Sequence, residues 1–409
     1  MGRSTHAKRE QESAVDVEIE RLVYGGEGLA RIDGQALLVP FVLPGERAAV
    51  TPHQVKTGLL RGSDPEILTQ SPDRVVPGCE YFGNCGGCHY QHASYPLQLN
   101  AKREIFRETL KRLGGISYDG EIGVVSGPEW NYRNRIQLHF QGRQVGYHRA
   151  GSHDLCTVTH CPISSPRLNE VIGTLQEATR QPQWPEFLRS LELFTNEDEV
   201  QLTVADSTRP VAARFFDWCA TLIPGLASGA VEYQATGHTF RISRGSFFQV
   251  NRFLIDNLVE VTLGTSGGQS AVDLYAGVGL FSLPLSTRFE RVQAIERGEP
   301  AFRDLEWNAK AIEGKVEPIK ASTEEFLREL ETTPDLIVAD PPRAGLGKEA
   351  AAELLRLRTP QLTIVSCDPS TLARDLHKLL QVYCIQRLTV VDLFPQTYHF
   401  EVVAQLALN

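Results

Sequence analysis

The residues best placed to do chemistry stand near the end of the chain, in LTIVSCDPSTLARDL, residues 362–376. The apolar run 362–365 reads as a buried strand that stops at Ser366 and Cys367. Asp368 and Pro369 then supply the capping side chain and first-turn proline of a helix. Cys367 therefore sits at the C-terminal tip of a strand, facing a helix N-terminus, where open α/β sheets bind ligands. The positive end of a helix lowers a thiol's pKa, and the thiolate is the nucleophile. The plain alternative is a small buried thiol.

Glu401 is a second outlier, a carboxylate inside the apolar strand YHFEVVA. A buried carboxylate costs several kcal/mol unless it is paired or neutralised; an edge strand facing water is the structural alternative. Upstream, the last 165 or so residues alternate strand and helix, the pattern of a doubly wound parallel sheet. The final strand is expected at its far end. Gly277 and Gly279 follow the first of these strands, and Glu296 ends the second, where an acid binds ribose hydroxyls. Asp340 heads DPPR at a further strand tip. The loop lacks the full dinucleotide fingerprint, so S-adenosylmethionine (SAM) suits it at least as well as NAD.

A third constellation lies in CEYFGNCGGCHYQH. Cys79, Cys85 and Cys88 could converge, because Gly83, Gly86 and Gly87 permit tight folding. A fourth ligand is required, with Cys161 the best candidate and Cys156 and His160 as alternatives. Four thiolates suit zinc or an iron–sulfur cluster, and a lone distant fourth ligand favours the cluster.

The elements that hold these groups fall into stretches of different texture. Residues 15–72 read as a small barrel of the oligonucleotide-binding type, with short strands split by glycine turns. Residues 97–113 form an amphipathic helix closed by Gly114 and Gly115. The region to about residue 240 is mainly β, and residues 241–409 form the α/β domain. Residues 1–14 are expected to be a disordered tail, without the apolar core of a signal peptide, which points to the cytoplasm.

The chain has 409 residues and a net charge of −9, which by itself argues weakly against nucleic acid. Residues 97–149, however, are locally basic, and Tyr132, Arg133 and Arg135 could hold RNA by stacking and phosphate contact. An ordinary set of strand residues would look the same.

Together, FGNCGGCHYQH, HCPI, SFFQVN, DLYAGVG, DPPRAGL, SCDPSTLARDL and FPQTYHFEVV resemble the TRAM-bearing RNA uracil-C5 methyltransferases that carry a [4Fe–4S] cluster. YGGEGLARIDG adds the resemblance to the TRAM barrel itself. The resemblance covers nearly the whole chain. It implies a TRAM barrel over 15–72, a cluster-bearing RNA-binding domain over 73–240 and a Rossmann-like SAM-dependent domain over 241–409, with helix 97–113 able to pack on the latter. It implies Cys79, Cys85, Cys88 and Cys161 as cluster ligands. Gln249, Tyr275, Gly277, Glu296, Ser322 and Asp340 fall on cofactor-side positions, Cys367 on the nucleophile and Glu401 on the base. Asp368 and Leu280 stand where relatives often have Asn, and Ser322 where Asn or Asp is common. The implied partner is RNA, 23S rRNA first and the tRNA T-loop second, for a monomer with no membrane attachment. Competing readings are a DNA or nucleotide methyltransferase, a non-catalytic iron–sulfur RNA-binding protein and an NAD-dependent oxidoreductase.

Overall fold

A computed structural model describes residues 14–312 and 314–409. All but the last residue of the expected tail therefore lies outside the described residues.

An eight-stranded sheet carries the candidate site. Its order is Val316–Ile319, Phe289–Ile295, Gly268–Leu274, Leu336–Ala339, Gln361–Ser366, Glu401–Leu408, Tyr383–Val391 and Ile122–Val125. Every pairing is parallel except those made by Glu401–Leu408, which runs antiparallel to both neighbours. The sequence placed this strand at the far end of a parallel sheet. It lies inside, because VVA is apolar on both faces and a strand of that kind needs cover on both. The same logic holds for Leu336–Ala339, which is buried throughout. Alternate residues feed two apolar layers: Val338, Val365 and Val403 on one face, Ile337, Ile364 and Val402 on the other.

The turn that carries Cys367 has its local cause in Asp368. Its carboxylate accepts from Ser370 N at 2.8 Å and Thr371 N at 2.9 Å, starting helix Pro369–Leu379. Helix Tyr95–Gly114 packs against that helix; it is capped by Ser94 and closed by Gly115 in the left-handed region. With Ile122–Val125 on the sheet edge, the stretch 95–125 is spatially part of the body built on the eight-stranded sheet, whereas its texture grouped it with the middle region.

The middle region is a five-stranded antiparallel sheet ordered Leu155–Thr157, Gln144–His148, Arg135–Gln141, Leu188–Thr195 and Val200–Ser207. Helices Pro166–Ala178 and Ala213–Leu222 cover it through Leu168, Val171, Ile172 and Phe215. The N-terminal sheet has six strands between Val15 and Thr69 around Val17, Ala30, Leu37, Val39 and Val50. No helix among the described residues is long and apolar enough to cross a membrane.

Candidate active site and cysteine-lined cavity

The register of two strands brings Cys367 and Glu401 together. Ser366 pairs with Val402, so the next residue of one strand and the preceding residue of the other meet at the sheet's tip. Cys367 is half-buried and Glu401 is buried. Burial pushes the Cys367 thiol up to about 11, and the Glu401 charge pushes the same way. Desolvation is the largest of these effects, where the sequence led to the expectation of a lowered thiol pKa. Arg343 opposes the rise by hydrogen bonding to the thiol and by its charge. Glu401 itself is held well above the usual carboxylate range by burial, and then by Asp340. Its Oε2 is buried without a hydrogen-bond partner. Burial also raises Asp340 to about 7. Two acids and one thiol, each held toward its protonated form, therefore meet one guanidinium here. Arg343 was visible in DPPR, but the sequence offered no partner to assign it.

Beside this group, the tips of the parallel strands meet. Ala276 N donates to Ile295 O at 2.9 Å, and Asp340 N donates to Leu274 O at 3.4 Å. Gly277 N donates to Glu296 Oε2 at 2.9 Å, so the acid and the glycine loop are tied together. Tyr275 takes a positive φ of 60°, rare for a residue with a side chain and a mark of a held turn. A cavity of about 50 Å³ here is lined by Gln249, Tyr275, Gly277 and Asp340, with Leu280 and Phe247. Phe247 is 61% exposed and stands at the mouth. Ser322 stands apart from this lining. Its hydroxyl accepts from Glu325 N at 3.2 Å and donates to Glu325 Oε2 at 2.8 Å, a reciprocal cap that starts Thr323–Glu329.

Cys79, Cys85, Cys88 and Cys161 line one cavity of about 400 Å³, together with His160. Cys156 is buried in strand Leu155–Thr157, outside that lining. Gly86 lets the backbones close up: a Cβ there would meet His148 O at 3.2 Å and Arg149 O at 3.3 Å. Burial raises Cys85 to about 11 and Cys88 to about 12, and neighbouring thiols add to both. All four cysteines are free of disulfides. Among the described residues, no group of three or more His, Cys, Asp or Glu is arranged to hold a metal ion. Four cysteines around one cavity supply the soft donors that zinc or an iron–sulfur cluster takes.

The residues expected to touch RNA are largely committed elsewhere. Tyr132 is fully buried and donates to Pro395 O at 3.0 Å. Arg135 is buried, pairs with Glu192 at 2.6 Å and covers the Phe194 ring at 4.6 Å. Lys102, counted in the basic stretch, is wholly buried against Asp392 at 2.6 Å. Of the trio, only Arg133 is left half-buried, and it lines the cysteine cavity. A residue missed entirely is Tyr24 of the N-terminal sheet region. Its ring meets Tyr398 edge-on at 5.3 Å and Phe400 at 6.2 Å, beside Glu401.

A mostly parallel sheet with one inserted antiparallel strand, a glycine loop after its first strand and acids on the next tips defines a Rossmann-like methyltransferase. Comparison with known proteins narrows the class. Residues 229–408 match the tRNA (Uracil-5-)-methyltransferase family, and residues 8–63 match the TRAM domain. An uncharacterized RNA methyltransferase of Aquifex aeolicus is 31% identical, over 97% of this chain and 99% of that protein. The 23S rRNA (uracil(1939)-C(5))-methyltransferase RlmD of Cronobacter sakazakii is 32% identical, over 93% of each. The crystal structure of the Pyrococcus abyssi tRNA (uracil-54, C5)-methyltransferase, in complex with S-adenosyl-L-homocysteine, superposes with a TM-score of 0.74. It is 26% identical and covers 96% of this chain and 100% of that one. The chain belongs to the RNA uracil-C5 methyltransferase family, and is a SAM-dependent enzyme acting on RNA.

Proposed function

We propose that the chain forms 5-methyluridine in 23S rRNA through a covalent bond between Cys367 and uracil C6, with Glu401 as the base. The observation that carries this is the meeting of Cys367 and Glu401 at adjoining strand tips, with Arg343 on the thiol. Uracil C5 is too weak a nucleophile to be methylated directly. Addition of the Cys367 thiolate to C6 moves electron density onto C5 and O4 as an enolate. SAM, when bound, supplies the electrophilic methyl group that C5 takes. In its carboxylate form Glu401 removes the C5 proton; the C6–S bond breaks and the thiolate leaves. The target base must leave its stack to reach a half-buried thiol.

Gln249, Tyr275, Gly277, Glu296 and Asp340 would hold SAM. The cavity of about 50 Å³ must widen for it, since sites for ligands of this size run to roughly 300 Å³ and more. Cys79, Cys85, Cys88 and Cys161 would hold a [4Fe–4S] cluster, in a role in folding or RNA placement, since methyl transfer moves no net electrons.

The rRNA assignment draws on relatives such as the Cronobacter enzyme. The likeness to the Pyrococcus tRNA enzyme keeps a tRNA uridine as the second reading. The test is incubation of anaerobically purified protein with labelled SAM and total RNA from cells lacking it, then mapping of 5-methyluridine. Label at one 23S uridine supports the proposal. Label in tRNA moves the substrate, and no label under SAM-binding conditions overturns the reading.

A further inference from the structure

The segment between strand Tyr383–Val391 and Glu401 is tied by buried polar contacts to residues far away in the chain. Gln396 is their meeting point. It is 1% exposed and takes a φ of 67°, a strained value for a residue with a side chain. Its carbonyl accepts from His89 N at 2.8 Å and Tyr90 N at 2.9 Å, the two residues after Cys88. Its own N–H donates to Gln98 Oε1 at 3.0 Å, and Gln98 Nε2 donates back to Gln396 Oε1 at 3.0 Å. Its Nε2 donates to Glu129 Oε2 at 2.7 Å. Its backbone N–H and carbonyl, its side-chain oxygen and its side-chain nitrogen each have a partner. The His89 ring also packs edge-on against Tyr398 at 4.6 Å.

We infer that Gln396 is a positioning residue through which the cysteine-lined cavity sets the placement of Glu401. The path is short. Cys88 lines the cavity, the next two amides hang on Gln396 O, and Glu401 follows five residues later. A backbone held in a left-handed conformation persists only while its surroundings over-determine it. Loss of order around Cys88 removes two of those restraints, and the segment 397–401 relaxes. The cavity would then act on catalysis without touching substrate. The inference rests on the assignment of Glu401 as base and Cys88 as ligand.

The test is hydrogen exchange of the 397–401 amides in the full chain, purified anaerobically, for wild type, Gln396→Ala and Cys88→Ser. Exchange at least tenfold faster in both variants is expected. In Gln396→Ala, kcat should fall tenfold or more while KM for SAM and RNA stays within twofold, a split that general loss of structure would not give. Where Gln396→Ala does not fold, Glu129→Ala removes a single bond to the same residue and is read the same way. Unchanged exchange in Cys88→Ser, or an effect confined to KM, overturns the inference. Exchange needs no RNA, so a wrong substrate assignment leaves this test readable.

Discussion

Cys367 and Glu401 face each other because Ser366 and Val402 are partners in an antiparallel pair. That register is the origin of the site: a one-residue slip would turn Glu401 to the opposite face. It also explains why the Glu401 charge raises the cost of ionising Cys367. The first consequence is simple. Cys367→Ala should abolish methyl transfer, by about 10³-fold or more in kcat, while RNA binding measured by filter retention stays within threefold. Activity near wild type in that variant would rule out the covalent route.

The glycine loop makes a paired prediction. A Cβ on Gly279 would sit 2.9 Å from both Leu283 Cδ1 and Leu305 Cδ1, at a φ of +95°. A Cβ on Gly277 meets nothing within 4 Å, at a φ of +57°. Gly279→Ala should therefore destabilise the fold, by roughly 1–3 kcal/mol in urea unfolding. Gly277→Ala should cost about 1 kcal/mol in stability yet weaken SAM binding at least tenfold, read by calorimetry. Equal SAM affinity in Gly277→Ala and wild type would remove the loop from the cofactor site.

Lys102 and Asp392 form an ion pair with both side chains fully buried, and Tyr95 OH donates to the same carboxylate at 2.9 Å. Lys102→Met leaves that charge without its cation and should cost ~3–5 kcal/mol by urea midpoint. Lys102→Met combined with Asp392→Leu should recover a good part of the loss. A double variant no better than the single one would show that the pair does more than neutralise itself.

Asp273 should make one contribution to stability that falls as pH rises. Burial lifts Asp273 from its ordinary 3.8 to about 7, with Asp340 adding to the rise and Ser282 opposing it. The folded state then binds protons more tightly than the unfolded chain. The stability this confers is complete below pH 4 and is lost as pH climbs through 7. Asp273→Asn keeps the shape and has no proton to lose. Its Tm should decline less between pH 5 and 8 than wild type, by ~2 °C or more. A parallel decline would mean that Asp273 does not drive it.

Much of this site was readable from local chemistry. The Asp368 cap, the glycine loop, Glu296 and the cysteine spacing all act over a few residues, and short-range signals survive in a sequence. What could not be read were the long-range pairings. Nothing around Lys102 names Asp392, 290 residues away, so a buried cation counted as part of a basic surface. Tyr132 and Arg135 looked like an RNA platform because strand residues carry no mark of which face is covered. The raised Cys367 thiol was missed for the same reason. A helix N-terminus is visible locally, whereas desolvation and Glu401 arrive from elsewhere in the fold. Helix Tyr95–Gly114 and strand Ile122–Val125 lie near the cysteines in the chain but belong to the catalytic body in space.

The covalent route with Glu401 as base is tested most directly by Glu401→Gln. The variant would be incubated anaerobically with SAM and substrate RNA, and run on a denaturing gel. Attack by Cys367 needs no base at C5, whereas release does. The account predicts a protein–RNA band that survives denaturation, with mass spectrometry placing methylated uracil on Cys367. Free RNA carrying 5-methyluridine at the wild-type rate, with no such band, would contradict it.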